Sequence, residues 1–182
     1  MKIENVVKKF DKNDIYLCPK CAAEAKIEGI SLICVDNHRY DFSKKGYIHL
    51  INNYKPTKYN EELFEARSTV FNNGFYGNVL DALGSLIEKY ARDRVLDIGC
   101  GEGYYIRKLK EKFPDKCFYG LDNSKDAIEL AVKEDKKNPY MIANLSNLPF
   151  RDNSVSCILN ILTPANYTEF FRVLGKDGYL IT

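Results

Sequence analysis

Two groups of residues in this chain have the types and the spacing to do chemistry. The first is Cys18, Cys21, Cys34 and His38, in the order C-x2-C-x12-C-x3-H. Two thiolates on one tight knuckle, with a thiolate and an imidazole on a second, can close a tetrahedron around zinc. Four protein ligands leave no position open to water, so such a metal is structural and not catalytic. The second group is Asp97-Ile98-Gly99-Cys100-Gly101-Glu102-Gly103, joined by Asp122. Gly99 and Gly101 permit unusual backbone angles and let the main chain come close to a ligand. Asp97 can accept hydrogen bonds from a cationic ligand or from the turn's own amides. Asp122 stands where a carboxylate meets ribose hydroxyls.

The elements that must position these residues are legible around them. Residues 95–98 are a short apolar run of the kind buried in a parallel sheet, and Ile106, Leu109 and Phe113 recur at helical spacing beyond the glycines. Strand, glycine turn, helix is how an open α/β sheet holds a nucleotide-like ligand. A dinucleotide site would need G-x-G-x-x-G, but Tyr104 occupies the last position of that pattern. The arrangement D-x-G-x-G-x-G is instead associated with S-adenosylmethionine, which has no phosphate to cradle, and an NAD site is disfavoured. Asn144 and Leu145, after a third strand, sit where side chains could flank an adenine ring.

Alternating signals extend along the chain. Residues 39–50 read as two short strands around a Ser-Lys-Lys-Gly turn, with His49 in the second. Tyr54, Lys55, Lys58 and Tyr59 follow, and aromatics interleaved with lysines suit single-stranded RNA. A helix is expected over 60–73, capped by Asn60, with Leu63, Phe64, Ala66, Val70 and Phe71 on one face. A second amphipathic helix covers 79–90. Strand two spans 116–121, and Ser124 caps a helix to about residue 136. Strand three spans 140–143, strand four 155–162, a short helix 167–174, and a Gly-Lys-Asp-Gly turn leads into strand five at 179–182. The reading is a doubly wound α/β sheet (residues 55–182) behind a small zinc ribbon (residues 1–54). A sheet of this type normally carries two more strands beside the fifth. The chain therefore reads as a shortened form of a longer protein, with an open edge that could pair with a second copy.

Composition narrows the setting. The 182 residues suit one domain with a small attachment, and no run approaches the length of a membrane span. No apolar core of signal-peptide length opens the chain, so a cytoplasmic location is expected, where six cysteines stay reduced. The net charge is only +2, yet residues 1–60 hold 11 lysines and arginines against 7 acids. That is a modest signal for a polyanionic partner.

With both motifs placed, the chain resembles the bacterial large-subunit ribosomal RNA guanine-N1 methyltransferases, the family of the RlmA and tylosin-resistance enzymes. The likeness runs through CPKC, CVDNHRYDFSKKGYIHL, EARSTVFNNGFY, VLDIGCGEGYY, GLDNSKDAIELA and NLPF. It implies a Rossmann-like class I methyltransferase fold and methyl transfer from S-adenosyl-L-methionine to N1 of a guanine in an rRNA hairpin loop. It also implies zinc on Cys18, Cys21, Cys34 and His38, and cofactor contacts at Tyr76, Tyr105 and Ile106. The Asn/Asp-Pro-Pro-Tyr motif of amino-group methyltransferases is absent; Asn160-Ile161-Leu162-Thr163-Pro164 stands there instead. Asn160 and Asn166 could hydrogen-bond a guanine, although asparagine is no general base, and the proton acceptor is not identified. Two rival functions carry different expectations. A cofactor- and RNA-binding module would bind without transfer, and a small-molecule methyltransferase would have no use for an RNA-holding ribbon.

Overall fold

A computed structural model describes residues 1–10, 14–54 and 61–182. Its elements in chain order are α1 (Ile3–Val7), β1 (Tyr16–Leu17), β2 (Glu24–Glu28), β3 (Ser31–Cys34), β4 (Arg39–Asp41), β5 (Tyr47–His49), α2 (Glu61–Asn72), α3 (Gly77–Tyr90), β6 (Arg94–Ile98), α4 (Tyr104–Lys112), β7 (Cys117–Asp122), α5 (Lys125–Glu134), β8 (Tyr140–Ile142), β9 (Val155–Leu159), α6 (Tyr167–Val173) and β10 (Leu174–Ile181). Strands β1 to β4 form an antiparallel sheet in sequence order, and the other six form a parallel sheet in the order β10-β9-β6-β7-β8-β5. The chain winds from β6 toward β8, then returns to β9 on the other side of β6. The switch point between β6 and β9 is where such sheets open a crevice.

Burial explains why β6 reads as a continuous apolar run: Val95, Leu96 and Ile98 are wholly enclosed, Val95 in the core shared with α3, α4 and α5 and the other two in the core shared with α6 and the ribbon. Helix α4 begins at Gly103, which takes φ 78°. It presents Tyr104, Tyr105, Ile106 and Leu109 to the core and ends with Lys110 and Lys112, cations that suit the negative end of the helix. Ser124 caps α5 as expected, its hydroxyl accepting from the amide of Ala127 at 3.3 Å. Tyr140 fixes how closely β7 and α4 can approach. A Cβ on Gly120 would lie 2.5 Å from its ring and 2.8 Å from Ile106, and one on Gly103 would lie 2.5 Å from its hydroxyl.

Several boundaries differ from the sequence reading. Strand β9 stops at Leu159, before the Asn160–Pro164 segment turns away. Strand β10 begins at Leu174 and not after the glycines, because Leu174 already pairs with Val155, and residues 175–178 are absorbed as an irregularity before Tyr179 pairs with Cys157. In α2 only Phe64 and Phe71 of the expected face are buried; Leu63, Ala66 and Val70 are exposed. The supposed cap Asn60 lies outside the described residues, as do Lys55, Lys58 and Tyr59. The described tyrosines of the ribbon and the segment after it serve packing. Tyr40 is buried with its hydroxyl accepting from Asn52, Tyr47 is buried with its hydroxyl on Glu129, and Tyr54 packs edge-on against His49.

The ribbon and the large sheet share one core. Strand β5 pairs with β8, placing His49 opposite Ile142. Strand β1 docks on the segment after β8: Leu17 donates to the carbonyl of Pro149 at 3.2 Å, Tyr16 bridges Phe150, and Arg151 donates to the carbonyl of Ile15 at 2.8 Å. Phe150, fully buried, touches the rings of Tyr16 and Tyr119 and so joins ribbon to sheet. Phe150→Ala is expected to cost about 3–5 kcal/mol. A fall in the urea midpoint with an unchanged slope in denaturant would show it.

Candidate cofactor cleft and metal centre

The four zinc-spaced residues converge. Their donor atoms all lie within 4.8 Å of one another. The Nδ1 atom of His38 is 3.3 Å from Cys21 Sγ, 3.5 Å from Cys34 Sγ and 3.6 Å from Cys18 Sγ, while the Cys21 and Cys34 sulfurs are 3.7 Å apart. A tetrahedron with Zn–S arms of roughly 2.3 Å and a Zn–N arm of roughly 2.0–2.1 Å has S–S edges of about 3.8 Å and S–N edges of about 3.6 Å. The spacing of the donors thus matches the metal and exceeds a disulfide by far. The donor set fits zinc, with Cys18 and Cys34 buried and Cys21 at the surface.

A cavity of about 220 Å³ opens at the carboxyl edge of the parallel sheet, with Leu121, Asp122, Ala143 and Leu145 on one side, Ile161 to Pro164 on the other, and Phe64 and Arg67 of α2 above. A smaller lobe of about 20 Å³ continues past Gly99 to Asp97, Glu102, Tyr104 and Tyr105. Asp122 organises the junction: one carboxylate oxygen accepts from the Gly101 amide at 2.9 Å, the other from the Ser124 amide at 2.8 Å. The Leu121 carbonyl accepts from Gly99 and Cys100 at 2.8 and 3.1 Å, holding the turn against the end of β7. Gly99 is needed for a different reason: a Cβ there would lie 2.4 Å from the Thr163 hydroxyl.

The small lobe is lined with unsatisfied acceptors. Asp97 is buried, one of its carboxylate oxygens has no partner among the described residues, and burial followed by the charge of Asp122 pushes its pKa up to about 7. One oxygen of Glu102 is paired to Arg107 at 2.8 Å and the other is buried without a partner. The Tyr105 hydroxyl is likewise unpartnered, and burial followed by the Asp97 charge pushes it up to about 12. Orphaned buried oxygens call for a donor-bearing cation to satisfy them. Beside them, burial holds the Cys100 thiol protonated, so it is no nucleophile.

Of the residues singled out from the sequence, Asp97, Gly99, Gly101, Tyr105, Asp122 and Leu145 line the two lobes. The Ile106 side chain is fully buried in the core. Tyr76 packs on Phe71, whose ring in turn stacks on Tyr104. Asn144 is exposed beside Leu145. Asn160 is buried and its amide donates to the Pro164 carbonyl at 3.2 Å. Asn166 caps α6, accepting from the Glu169 amide and donating to the Leu145 carbonyl at 3.0 Å. Four further residues went unnoticed as site residues. Glu102 stood inside the glycine turn itself; Phe64 and Arg67 lay in a helix read only for its core face; Thr163 is revealed only by its closeness to Gly99.

Residues 16–55 match the family described as RlmA, N-terminal, and residues 95–178 match a methyltransferase domain. The chain is 36% identical to YxjB of Bacillus subtilis, which carries the designation 23S rRNA (guanine-N1)-methyltransferase, over 92% of this chain and 63% of that protein. It is 30% identical to the 23S rRNA (guanine(748)-N(1))-methyltransferase of Streptomyces fradiae, over 90% of this chain and 61% of that protein. Along nearly its whole length the chain is thus similar to RlmA-type methyltransferases. It spans a little over three fifths of the length of these relatives. Its fold is also shared with a Methanococcus maripaludis protein assigned to the S-adenosyl-L-methionine-dependent methyltransferases, at TM-score 0.58 and 18% identity over 70% of this chain and 65% of that one. The ribbon at residues 16–55, with its four-residue centre, matches the N-terminal unit of RlmA, and the glycine turn opens the part that matches a methyltransferase domain.

Two outcomes follow from this geometry. Metal analysis should find a single zinc per chain; Cys34→Ser should lose it, and the near-ultraviolet signal of the buried tyrosines should weaken with it. For Asp97, a carboxyl whose native pKa lies above the ordinary 3.8 binds its proton more tightly folded than unfolded. Its contribution therefore favours the native state at low pH and is lost as pH rises from about 4 to about 7. Asp97→Asn should melt several degrees above the wild type at about pH 8, with the gap closing toward pH 4 in parallel thermal scans.

Proposed function

We propose that the chain takes part in S-adenosylmethionine-dependent methylation of N1 of a guanine in a large-subunit rRNA hairpin loop. The methyltransferase unit, residues 55–182, would hold the cofactor, and the ribbon unit, residues 1–54, would present the RNA. The single observation that carries the reading is the two-lobed cleft at the switch point. There Asp122 stands at the wide lobe, while Asp97, Glu102 and Tyr105 turn unsatisfied oxygens into the narrow one. The names borne by the relatives support the choice of substrate.

The residues fit the cofactor's chemistry. A sulfonium nucleoside supplies an electrophilic methyl group and carries an ammonium at its amino-acid end. The narrow lobe offers acceptors to that cationic end, held by Gly99, Gly101, Tyr105 and the main chain at Ile106. Asp122 presents its carboxylate to ribose hydroxyls from the turn, and Leu145, with Asn144 and Ala143, flanks the base. Tyr76 supports the narrow lobe through Phe71. Transfer by in-line displacement needs alignment more than a covalent catalyst, so proximity supplies much of the rate. A guanine N1 is reachable only in an unpaired or extruded nucleotide. Asn160 braces the 160–164 segment through Pro164 and is the candidate for a contact to the base, and Asn166 positions Leu145.

Among the described residues no helix is long and apolar enough to cross a membrane. The setting proposed is the cytoplasm, where rRNA is modified. A second copy across β10 is the proposed partner, since that strand pairs with β9 on one side and with no strand on the other among the described residues; sedimentation would show a dimer.

The test uses methyl-tritiated S-adenosylmethionine with unmodified large-subunit rRNA, followed by nuclease digestion. Label in N1-methylguanine is expected, and Asp97→Asn should weaken cofactor affinity at least tenfold by calorimetry at about pH 8. Cofactor bound with no label in RNA, from this chain and from a C-terminally extended one alike, would refute the enzymatic reading.

A further inference from the structure

Away from the cleft, a groove of about 500 Å³ runs between the 43–46 turn and α5. Lys44, Lys45, Lys133 and Lys136 line it, with Glu129 the acid among its walls. Under the turn lies a fifth cation. The half-buried ammonium of Lys9 donates to the Gly46 carbonyl at 3.1 Å, and a Cβ on Gly46 would lie 3.3 Å from it and 3.4 Å from Val132. Lys136 donates to the Val132 carbonyl nearby. Glu129 is already committed: it pairs with Lys45 at 2.7 Å, accepts from the Tyr47 hydroxyl at 3.0 Å and faces Lys125 at 3.9 Å. Among the described residues Lys9, Lys44, Lys133 and Lys136 have no acid in ion-pair contact. Asp135, behind Lys9, spends its oxygens on the Lys137 amide, Asn138 and the Tyr140 hydroxyl.

We propose that this groove is a track for the phosphate backbone of the RNA whose target base enters the cleft. The proposal rests on the RNA reading above. Like charges gathered from three elements repel one another unless an anion joins them. Beneath them Lys9 has its pKa lowered to about 8, by burial first; Asp135 opposes the fall and Lys136 adds a smaller push in the same direction as burial. The track also leads to the right place. Asn123 lines the cleft, Lys125, Glu129 and Lys133 follow at helical spacing along one side of α5, a run of about 12 Å, and Lys136 lies just beyond the end of that helix. The aromatic beside it, Tyr47, is buried, so the groove offers cations and no stacking face. Such a surface positions RNA by its backbone and reads no sequence. A concave groove also suits a polynucleotide chain better than a flat lipid surface.

The test compares Lys133→Gln/Lys136→Gln with a control, Lys89→Gln/Lys108→Gln, which removes the same charge from α3 and α4. Binding of an rRNA hairpin is measured by fluorescence anisotropy from low to high salt, with cofactor affinity as the check on folding. The groove variant should bind at least tenfold more weakly at low salt, with the slope of log K against log salt reduced by about 1.5, while cofactor affinity and the control stay at wild-type values. Wild-type affinity and slope in the groove variant, or an equal loss in the control, would overturn the track while leaving the methyltransferase reading intact. Failure of the wild type to bind the hairpin at all, with cofactor still bound, would overturn the RNA reading and the track with it.

Discussion

Everything at the carboxyl edge of the sheet depends on one carboxylate gripping two amides. Asp122 ends β7, yet its oxygens hold Gly101 in the neighbouring turn and Ser124 at the start of the next helix. With the Leu121 carbonyl taking two more amides, the glycine turn is fastened to the adjacent strand and not only to its own. The crevice between β6 and β9 keeps its shape because the turn cannot collapse into it. Asp97, one strand away, is left in the opposite condition, buried and unsatisfied, with a raised pKa. The two acids lie close enough for the ionisation of one to oppose that of the other. A ligand with a positive end relieves both burial and repulsion at once.

The zinc tetrad and the strand-turn-helix were legible in the sequence because each depends on local spacing. Three cysteines and a histidine at knuckle intervals suit a metal, and their donor atoms come together at distances that fit one. What stayed hidden depends on contacts between distant segments. Nothing local marks Thr163, whose position is known only from the absence of a Cβ on Gly99. The aromatic-and-lysine stretch is ambiguous for the same reason: tyrosines suited to stacking on bases are also suited to filling a small core, as Tyr40 and Tyr47 do just ahead of it. Helix α2 showed a broad apolar face in its sequence, but it covers a cleft and not a sheet, so of that face Phe64 and Phe71 are buried while Leu63, Ala66 and Val70 are exposed. The irregular start of β10 was hidden by its glycines, which read as a turn although Leu174 is already paired.

The ribbon is more than an attachment. Its own four-stranded sheet is small, and the apolar side chains of Ala25, Leu32 and Tyr40 are continuous with Leu96, Tyr119 and Phe150 of the larger unit. A segment of this size gains little from burial by itself. Metal coordination on one side and the shared core on the other together hold it in place, and β5 carries the continuity further by completing the edge of the parallel sheet.

The loop between β8 and β9 shows what this union does to the pocket. Leu145 forms part of the cavity wall on a segment without regular structure, and its carbonyl is held by Asn166. Two residues on, Asn147 donates to the carbonyl of Pro19, inside the knuckle that carries Cys18 and Cys21. The stiffness of that wall is therefore borrowed from coordination bonds in another part of the molecule. A cell's supply of metal would in this way reach into the shape of a pocket that contains none.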